Sequence, residues 1–206
     1  MSRWIRQRKR DQYYRLAKAK GYRSRAAFKL LQAVRKYRFI RPGNVVVDLG
    51  AAPGGWTQVA REIVGSLGYV LAVDRKSIVP FPESNVRTLV ADIEDPAVAQ
   101  AISEALPRTP DVVICDVSPN VSGAWEVDQA RQIHLARSVA RIGVQLLRPG
   151  GSFFTKAFQG DELKDFVDEL RLQFRVARIV KPPASKPQSS EVYLLAMGLV
   201  KGSSAC

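Results

Sequence analysis

Seven short runs rich in β-branched residues, spaced by segments of helical length, constrain this chain more than any other feature. The runs fall at 45–47, 69–73, 86–90, 112–115, 152–156, 174–180 and 192–197, with helical patterns at 56–64, 96–106, 127–147 and 161–172. Strands that alternate with helices pair in parallel, because each helix carries the chain back to the edge where the strand began. The pattern therefore predicts an α/β fold, a mostly parallel seven-stranded sheet with helices on both faces. Its end differs. Between the last two runs lies Lys181-Pro-Pro-Ala-Ser-Lys-Pro-Gln-Ser-Ser, a Pro- and Ser-rich loop without a crossover helix, which predicts an antiparallel last strand. At 206 residues the chain is expected to form one domain.

Charge divides the chain unevenly. Lys and Arg number 32 against 19 Asp and Glu, for a net charge of +13. Residues 1–41 hold 15 of the cations and one acid, Asp11, whereas residues 42–206 are close to balance. So basic a segment points to a polyanionic partner. It reads as two helices, the first over 2–20 and the second opened by Ser24 as N-cap, with Ala27, Phe28, Leu30, Leu31 and Val34 at helical spacing up to Tyr37. A solvated face or a disordered tail is the plain alternative for any charge run. The aromatics Trp4, Tyr13, Tyr14 and Tyr22 interleaved with the cations favour nucleic-acid contact instead. We therefore expect residues 1–41 to be a basic helical extension of the same domain and residues 42–206 to be its core.

Several classes are set aside at this stage. No run of 18 apolar residues is present, and the Arg-rich start has no apolar segment behind it, so neither a membrane span nor a secretory signal is expected. A soluble, cytoplasmic monomer is the expectation. Cys115 and Cys206 alone build neither a disulfide framework nor a Cys-rich zinc site, and no metal is expected.

The run at 45–47 leads into Asp48-Leu49-Gly50-Ala51-Ala52-Pro53-Gly54-Gly55-Trp56, after which a helix begins. In an open α/β sheet this turn lets a nucleotide-like ligand approach the backbone, since glycine has no Cβ in the way. Glycines alone are equally compatible with a plain tight turn. The acids add more: Asp48, Asp74, Asp92 and Asp116 each fall at or just past the C-terminal end of an expected strand. A pyrophosphate cofactor would be repelled there, whereas S-adenosylmethionine brings a ribose diol, an ammonium and a sulfonium, all suited to carboxylates. A dehydrogenase reading loses on the same acids.

Asp116 opens Asp116-Val117-Ser118-Pro119-Asn120, which lacks the paired prolines and aromatic of enzymes that methylate nucleic-acid amines, so a base nitrogen is disfavoured as acceptor. The single histidine, His134, lies inside a helix and is not expected to act as a base. Lys156 follows Phe153-Phe154-Thr155, where a charge makes sense if it points into the ligand crevice. Desolvation and a nearby cation would bring its pKa down towards neutrality and make it a candidate base.

Five blocks in order complete the reading: Ser24-Arg25-Ala26-Ala27-Phe28-Lys29-Leu30, the stretch 48–56, Asp116-Val117-Ser118-Pro119-Asn120, Phe154-Thr155-Lys156, and the stretch 181–193. In these the chain resembles the RrmJ/FtsJ family of S-adenosylmethionine-dependent RNA 2′-O-ribose methyltransferases, from about Tyr22 to Gly198. The resemblance implies a Rossmann-like methyltransferase fold and a catalytic tetrad of Lys29, Asp116, Lys156 and Glu191. It implies cofactor contacts at Gly54, Trp56, Asp74, Asp92 and Asp116, and a uridine of large-subunit ribosomal RNA as acceptor. Lys186 stands where many relatives have Arg. Transfer RNA as the substrate, or a catalytically silent RNA-binding assembly factor, are the alternatives. On this reading Lys29 depresses the Lys156 pKa by like-charge repulsion, while Asp116 and Glu191 orient the two ammonium groups.

Overall fold

The computed structural model of the protein describes residues 11–119 and 122–200. Seven strands form one sheet: β1 Val45–Leu49, β2 Tyr69–Asp74, β3 Val86–Val90, β4 Val112–Cys115, β5 Ser152–Phe158, β6 Phe174–Val180 and β7 Glu191–Leu199. Among the described residues six helices accompany them: α1 Gln12–Ala19, α2 Ala27–Tyr37, α3 Gly55–Val64, α4 Val98–Ala105, α5 Trp125–Leu146 and α6 Glu162–Gln173. The strand order is β3-β2-β1-β4-β5-β7-β6. β1 to β5 pair in parallel, and β7 runs antiparallel to both β5 and β6. The order reverses between β1 and β4, and in open α/β sheets ligands bind in the crevice beyond such a point.

Alternation along each central strand divides the core. Val47, Leu49, Val113, Cys115, Phe153 and Ala157 face the layer built by α4, α5 and α6. Val46, Val112, Ile114, Phe154, Tyr193 and Leu195 face α2 and α3. Strands buried on both sides read as continuous apolar runs, as β1 and β4 do.

The N-terminal helices belong to this second layer, with Ala27, Leu30, Ala33 and Val34 of α2 inside it. Two expectations change here. Ser24 is not the N-cap of α2: the helix starts at Ala27, its cap residue Ala26 makes no side-chain bond, and Ser24 serves in the preceding turn, accepting from the Ala27 N–H through its carbonyl. Two aromatics of the basic segment also turn inward. Tyr13 and Tyr22 pack on Phe28 with ring centroids 5.5 and 5.6 Å away, and the Tyr22 hydroxyl donates to Glu62 at 2.7 Å. Their apolar bodies gain more from burial than from waiting for a base. Asp11 caps α1 by accepting from the Tyr13 and Tyr14 N–H groups. The expected first helix over 2–20, and Trp4 with it, lies outside the described residues up to position 10.

The loop at 181–190 is packed rather than loose. Ala184 is buried against Ala17 and Phe28, and its N–H donates to Gln32 at 2.8 Å. Lys181 donates to the carbonyls of Pro187 and Ser189. The loop thereby sets where β7 begins, at Glu191.

Candidate active site

Beyond the C-terminal ends of the strands lies a cavity of about 750 Å³. Gly50 and Ala52 of the β1–α3 turn, Asp74 ending β2, Asp92 and Glu94 after β3, and Asp116 to Pro119 after β4 line it, with Arg131, His134 and Leu135 of α5 as the opposite wall. That size suits a single small ligand. The rim is not purely acidic, for Arg75 and Lys76 also stand on it. Asp74 is held from two directions, one oxygen accepting from the Ala52 N–H at 2.9 Å and the other from Lys76 N–H at 2.8 Å. Asp92 accepts from the Glu94 N–H at 3.0 Å.

Asp48 departs from the expected row of four carboxylates. It lies within β1 rather than past it, is fully buried, and accepts from the Thr57 hydroxyl at 2.7 Å beneath the cavity floor. Burial pushes its pKa up to about 7 against the Thr57 hydrogen bond, and the Asp116 and Asp74 charges push the same way. Gly54 and Trp56 do not line the cavity with side chains. Trp56 is buried, stacked on Phe154 and donating from Nε1 to the Ala26 carbonyl at 2.8 Å, so what it can offer a ligand is its backbone N–H in the first turn of α3. Gly54, with φ of 107°, leaves room that a Cβ would fill to within 2.7 Å of the Phe81 ring.

The two expected lysines converge. Lys156, two residues before the end of β5, and Lys29, in the first turn of α2, both reach the Glu191 carboxylate, at 3.9 and 2.7 Å. Lys156 also donates to Asp116, at 2.8 Å to the carboxylate and 2.7 Å to the carbonyl, and lies 3.3 Å from Ser118 Oγ. The strand period of two explains the meeting: Lys156 and Phe154 share a face, Tyr193 on β7 pairs with Lys156, and Glu191 lies two residues before Tyr193 on that same face. α2 covers that same face and delivers Lys29.

The expected depression of the Lys156 pKa is overturned. Burial does disfavour the charge, but the Asp116 and Glu191 carboxylates outweigh it and raise the pKa above its ordinary value. Like-charge repulsion fails because Glu191 stands between the two amines. At rest Lys156 is an ammonium with its donors occupied.

Three participants were not singled out from sequence. Tyr193 donates from its hydroxyl to Asp116 at 2.8 Å. Ser185, in the packed loop, donates to Glu191 at 3.0 Å. Gln132 of α5 is buried, reaching the Lys156 carbonyl at 3.3 Å and accepting from Ser118 Oγ at 3.3 Å. Period two from Glu191 could have found Tyr193, whereas nothing local marks Ser185 or Gln132. His134 stands exposed on the cavity wall. Among the described residues no group of three or more His, Cys, Asp or Glu could hold a metal ion, and no helix is long and apolar enough to cross a membrane.

Known proteins share this architecture. The chain is 46% identical over 197 residues to a ribosomal RNA large subunit methyltransferase E of Methanocaldococcus jannaschii, covering 94% of this chain and 80% of that one. It is 47% identical over 191 residues to the protein of that name from Methanothrix thermoacetophila, covering 93% and 73%. A crystal structure described as a ribosomal RNA methyltransferase from Plasmodium falciparum superposes with a TM-score of 0.78 at 26% identity, over 86% of this chain and 98% of that one. Residues 22–199 match the FtsJ-like methyltransferases, the stretch that holds the cavity and the paired lysines, and the chain belongs to that family.

Proposed function

We propose that the protein transfers the methyl group of S-adenosylmethionine to a ribose 2′-hydroxyl of RNA, at a uridine of large-subunit ribosomal RNA. One observation carries the reading: two lysines, mostly buried, meet on one shared carboxylate, Glu191, at the edge of a cavity rich in acids. The names of the relatives, large subunit methyltransferases of ribosomal RNA, support the choice of substrate.

The residues suit the donor. Asp74, Asp92 and Glu94 offer acceptors for hydroxyl and ammonium groups, Gly54 keeps the backbone open, and the N–H groups of Gly55 and Trp56, in a first turn of α3 that no side chain caps, can receive a carboxylate. When bound, S-adenosylmethionine supplies a methyl carbon already activated by its sulfonium. The protein must then bring the acceptor oxygen in line with that carbon and manage one proton, and alignment supplies most of the rate.

Lys156 is the group for the acceptor oxygen. Its bond to Ser118 Oγ, at 3.3 Å, is longer than either of its bonds to Asp116 and the one an incoming 2′-hydroxyl replaces most easily. As an ammonium Lys156 stabilises charge growing on that oxygen, and in its small neutral fraction it takes the proton. Asp116, fixed by Tyr193, and Glu191, fixed by Ser185, hold the two amines in place. Lys29 carries positive charge towards the ribose or an adjacent phosphate.

The basic segment supplies the RNA surface. Arg15, Lys18 and Lys20 of α1 and its end, and Arg35, Lys36, Arg38 and Arg41 of α2 and beyond, are exposed. Arg23 and Arg25 are engaged internally, Arg23 on the carbonyls of Pro53, Val79 and Pro80, Arg25 on Asp11 and the Ala184 carbonyl. RNA affinity should therefore fall steeply with salt.

The test is incubation with labelled donor and, separately, large ribosomal subunits, free ribosomal RNA and transfer RNA, followed by nucleoside mass spectrometry. 2′-O-methyluridine from ribosomal RNA is expected. A methyl group on a base, or ribose methylation confined to transfer RNA, overturns the assignment.

A further inference from the structure

An exposed aromatic surface adjoins the lysine cluster and has no role in the fold or in the chemistry described. Trp125, the first residue of α5, is 49% exposed. Its ring lies on Phe158, with centroids 6.1 Å apart and planes 23° from parallel. By contrast Trp56, the other described tryptophan, is buried in the core. A half-exposed indole at a helix start adds little to packing, and its remaining surface is free for a flat partner.

Phe158 places this surface relative to the reaction. It ends β5 two residues beyond Lys156 and therefore on the same face of the sheet, and its partner across β7 is Glu191, the carboxylate shared by both lysines. One side chain, Phe158, thus separates Trp125 from the tetrad. The support is rigid. Asp128, one turn into α5, accepts from the Ser122 N–H, the Ser122 hydroxyl and the Gly123 N–H at 2.7, 2.8 and 3.0 Å, which fixes the start of the helix. On the strand side Gln129 packs on Gly160, where an added Cβ would come within 2.3 Å of the amide.

We propose that Trp125, backed by Phe158, is the platform on which the nucleobase of the acceptor nucleotide stacks, holding the attached ribose with its 2′-hydroxyl towards Lys156. This deepens the proposed function and rests on it. A ribose alone has few handles, and a base gripped on its π-face fixes the sugar without a hydrogen-bond code. Substitution of such a stacking aromatic by alanine commonly weakens single-strand binding on the order of ten- to hundredfold. The platform would then supply position, and discrimination among bases would come from elsewhere.

The test is a thermodynamic cycle on a short synthetic RNA bearing the methylated position, read by fluorescence anisotropy for binding and by mass spectrometry for ribose methylation. Trp125→Ala is expected to weaken RNA binding and raise KM about tenfold or more, with donor affinity by calorimetry and the thermal midpoint unchanged. Trp125→Phe should stay within about threefold of the wild type. The same RNA made abasic at the acceptor, ribose intact, should lose a similar factor with the wild type and nothing further with Trp125→Ala. The abasic arm uses the wild-type protein, so it stands even if the alanine variant folds poorly. Losses that multiply, or no loss in either arm while the wild type methylates the intact RNA, overturn the platform and leave the proposed function standing. A loss seen on whole ribosomal subunits but not on the oligonucleotide also overturns it, in favour of a protein contact. If the wild type methylates no ribose, the underlying reading falls first.

Discussion

Strand β4 carries an aspartate just outside each end, and the two ends of the sheet treat them in opposite ways. Asp111, before the strand, is clamped by Arg108 at 2.7 Å and Arg148 at 2.5 Å and also accepts from the Val45 N–H at 2.7 Å. Although burial works against it, the two arginine hydrogen bonds hold its carboxyl below the usual range. Asp116, after the strand, is paired with a buried lysine and a buried tyrosine and keeps one side open to the cavity. Arginine, always charged and forked, makes a lock, whereas lysine can gain and lose a proton and can release a partner for a substrate. The lower end of the sheet is built for stability and the upper end for exchange.

The largest test of that contrast is Lys156→Ala. It should lower kcat by about 10³-fold or more while S-adenosylmethionine affinity, measured by calorimetry, stays within about twofold. In the wild type the Lys156 pKa lies above its ordinary value, so the neutral fraction is small near pH 7. If proton removal limits turnover, single-turnover rates should climb about tenfold per pH unit through the neutral range, and a flat profile would assign Lys156 to charge stabilisation alone.

Next in size is Asp48, which sits at the upper end but behaves as part of the core. Unfolded, its carboxyl ionises near 3.8, while in the fold it keeps its proton to about pH 7. Between those values the folded state binds more protons, so stability should fall as pH rises through that window and level off above it. The expected loss is on the order of a few kcal/mol. Denaturant titrations of the wild type and Asp48→Asn at a series of pH values check this, and the variant should lack that part of the slope.

At the lower end Asp111→Ala should cost about 2–3 kcal/mol, read from the denaturation midpoint, because it strips the Val45 N–H of its acceptor and takes from Arg108 and Arg148 the one carboxylate they share. The folded variant should methylate normally. The smallest effect expected is from Tyr193→Phe, which removes only the hydroxyl on Asp116: a severalfold fall in kcat, with KM for RNA unchanged in steady-state assays.

Much of this was readable from local pattern. The seven strands and the antiparallel last one appear where β-branched runs and the helix-free loop put them, and strand period two foretells that Lys156 and Phe154 share a face. Boundaries moved where capping and register intervened, as at Ser24 and at β5, which runs on to Phe158. The inward packing of Tyr13 and Tyr22 was hidden, because a basic segment reads identically in sequence whether its aromatics meet a core or a base.

By itself the sequence determined the α/β alternation, the concentration of cations in the first fifth, and which residue types stand at the strand ends, since these follow from short-range periodicity and composition. Only the tertiary structure decided that Glu191 comes between the two lysines, that Asp48 lies under the floor and not on the rim, and that Trp125 stacks beside the cluster. Those outcomes depend on distance and burial between segments as much as 162 residues apart. An electrostatic shift takes its sign from the nearest charge in space, and order along the chain does not encode that.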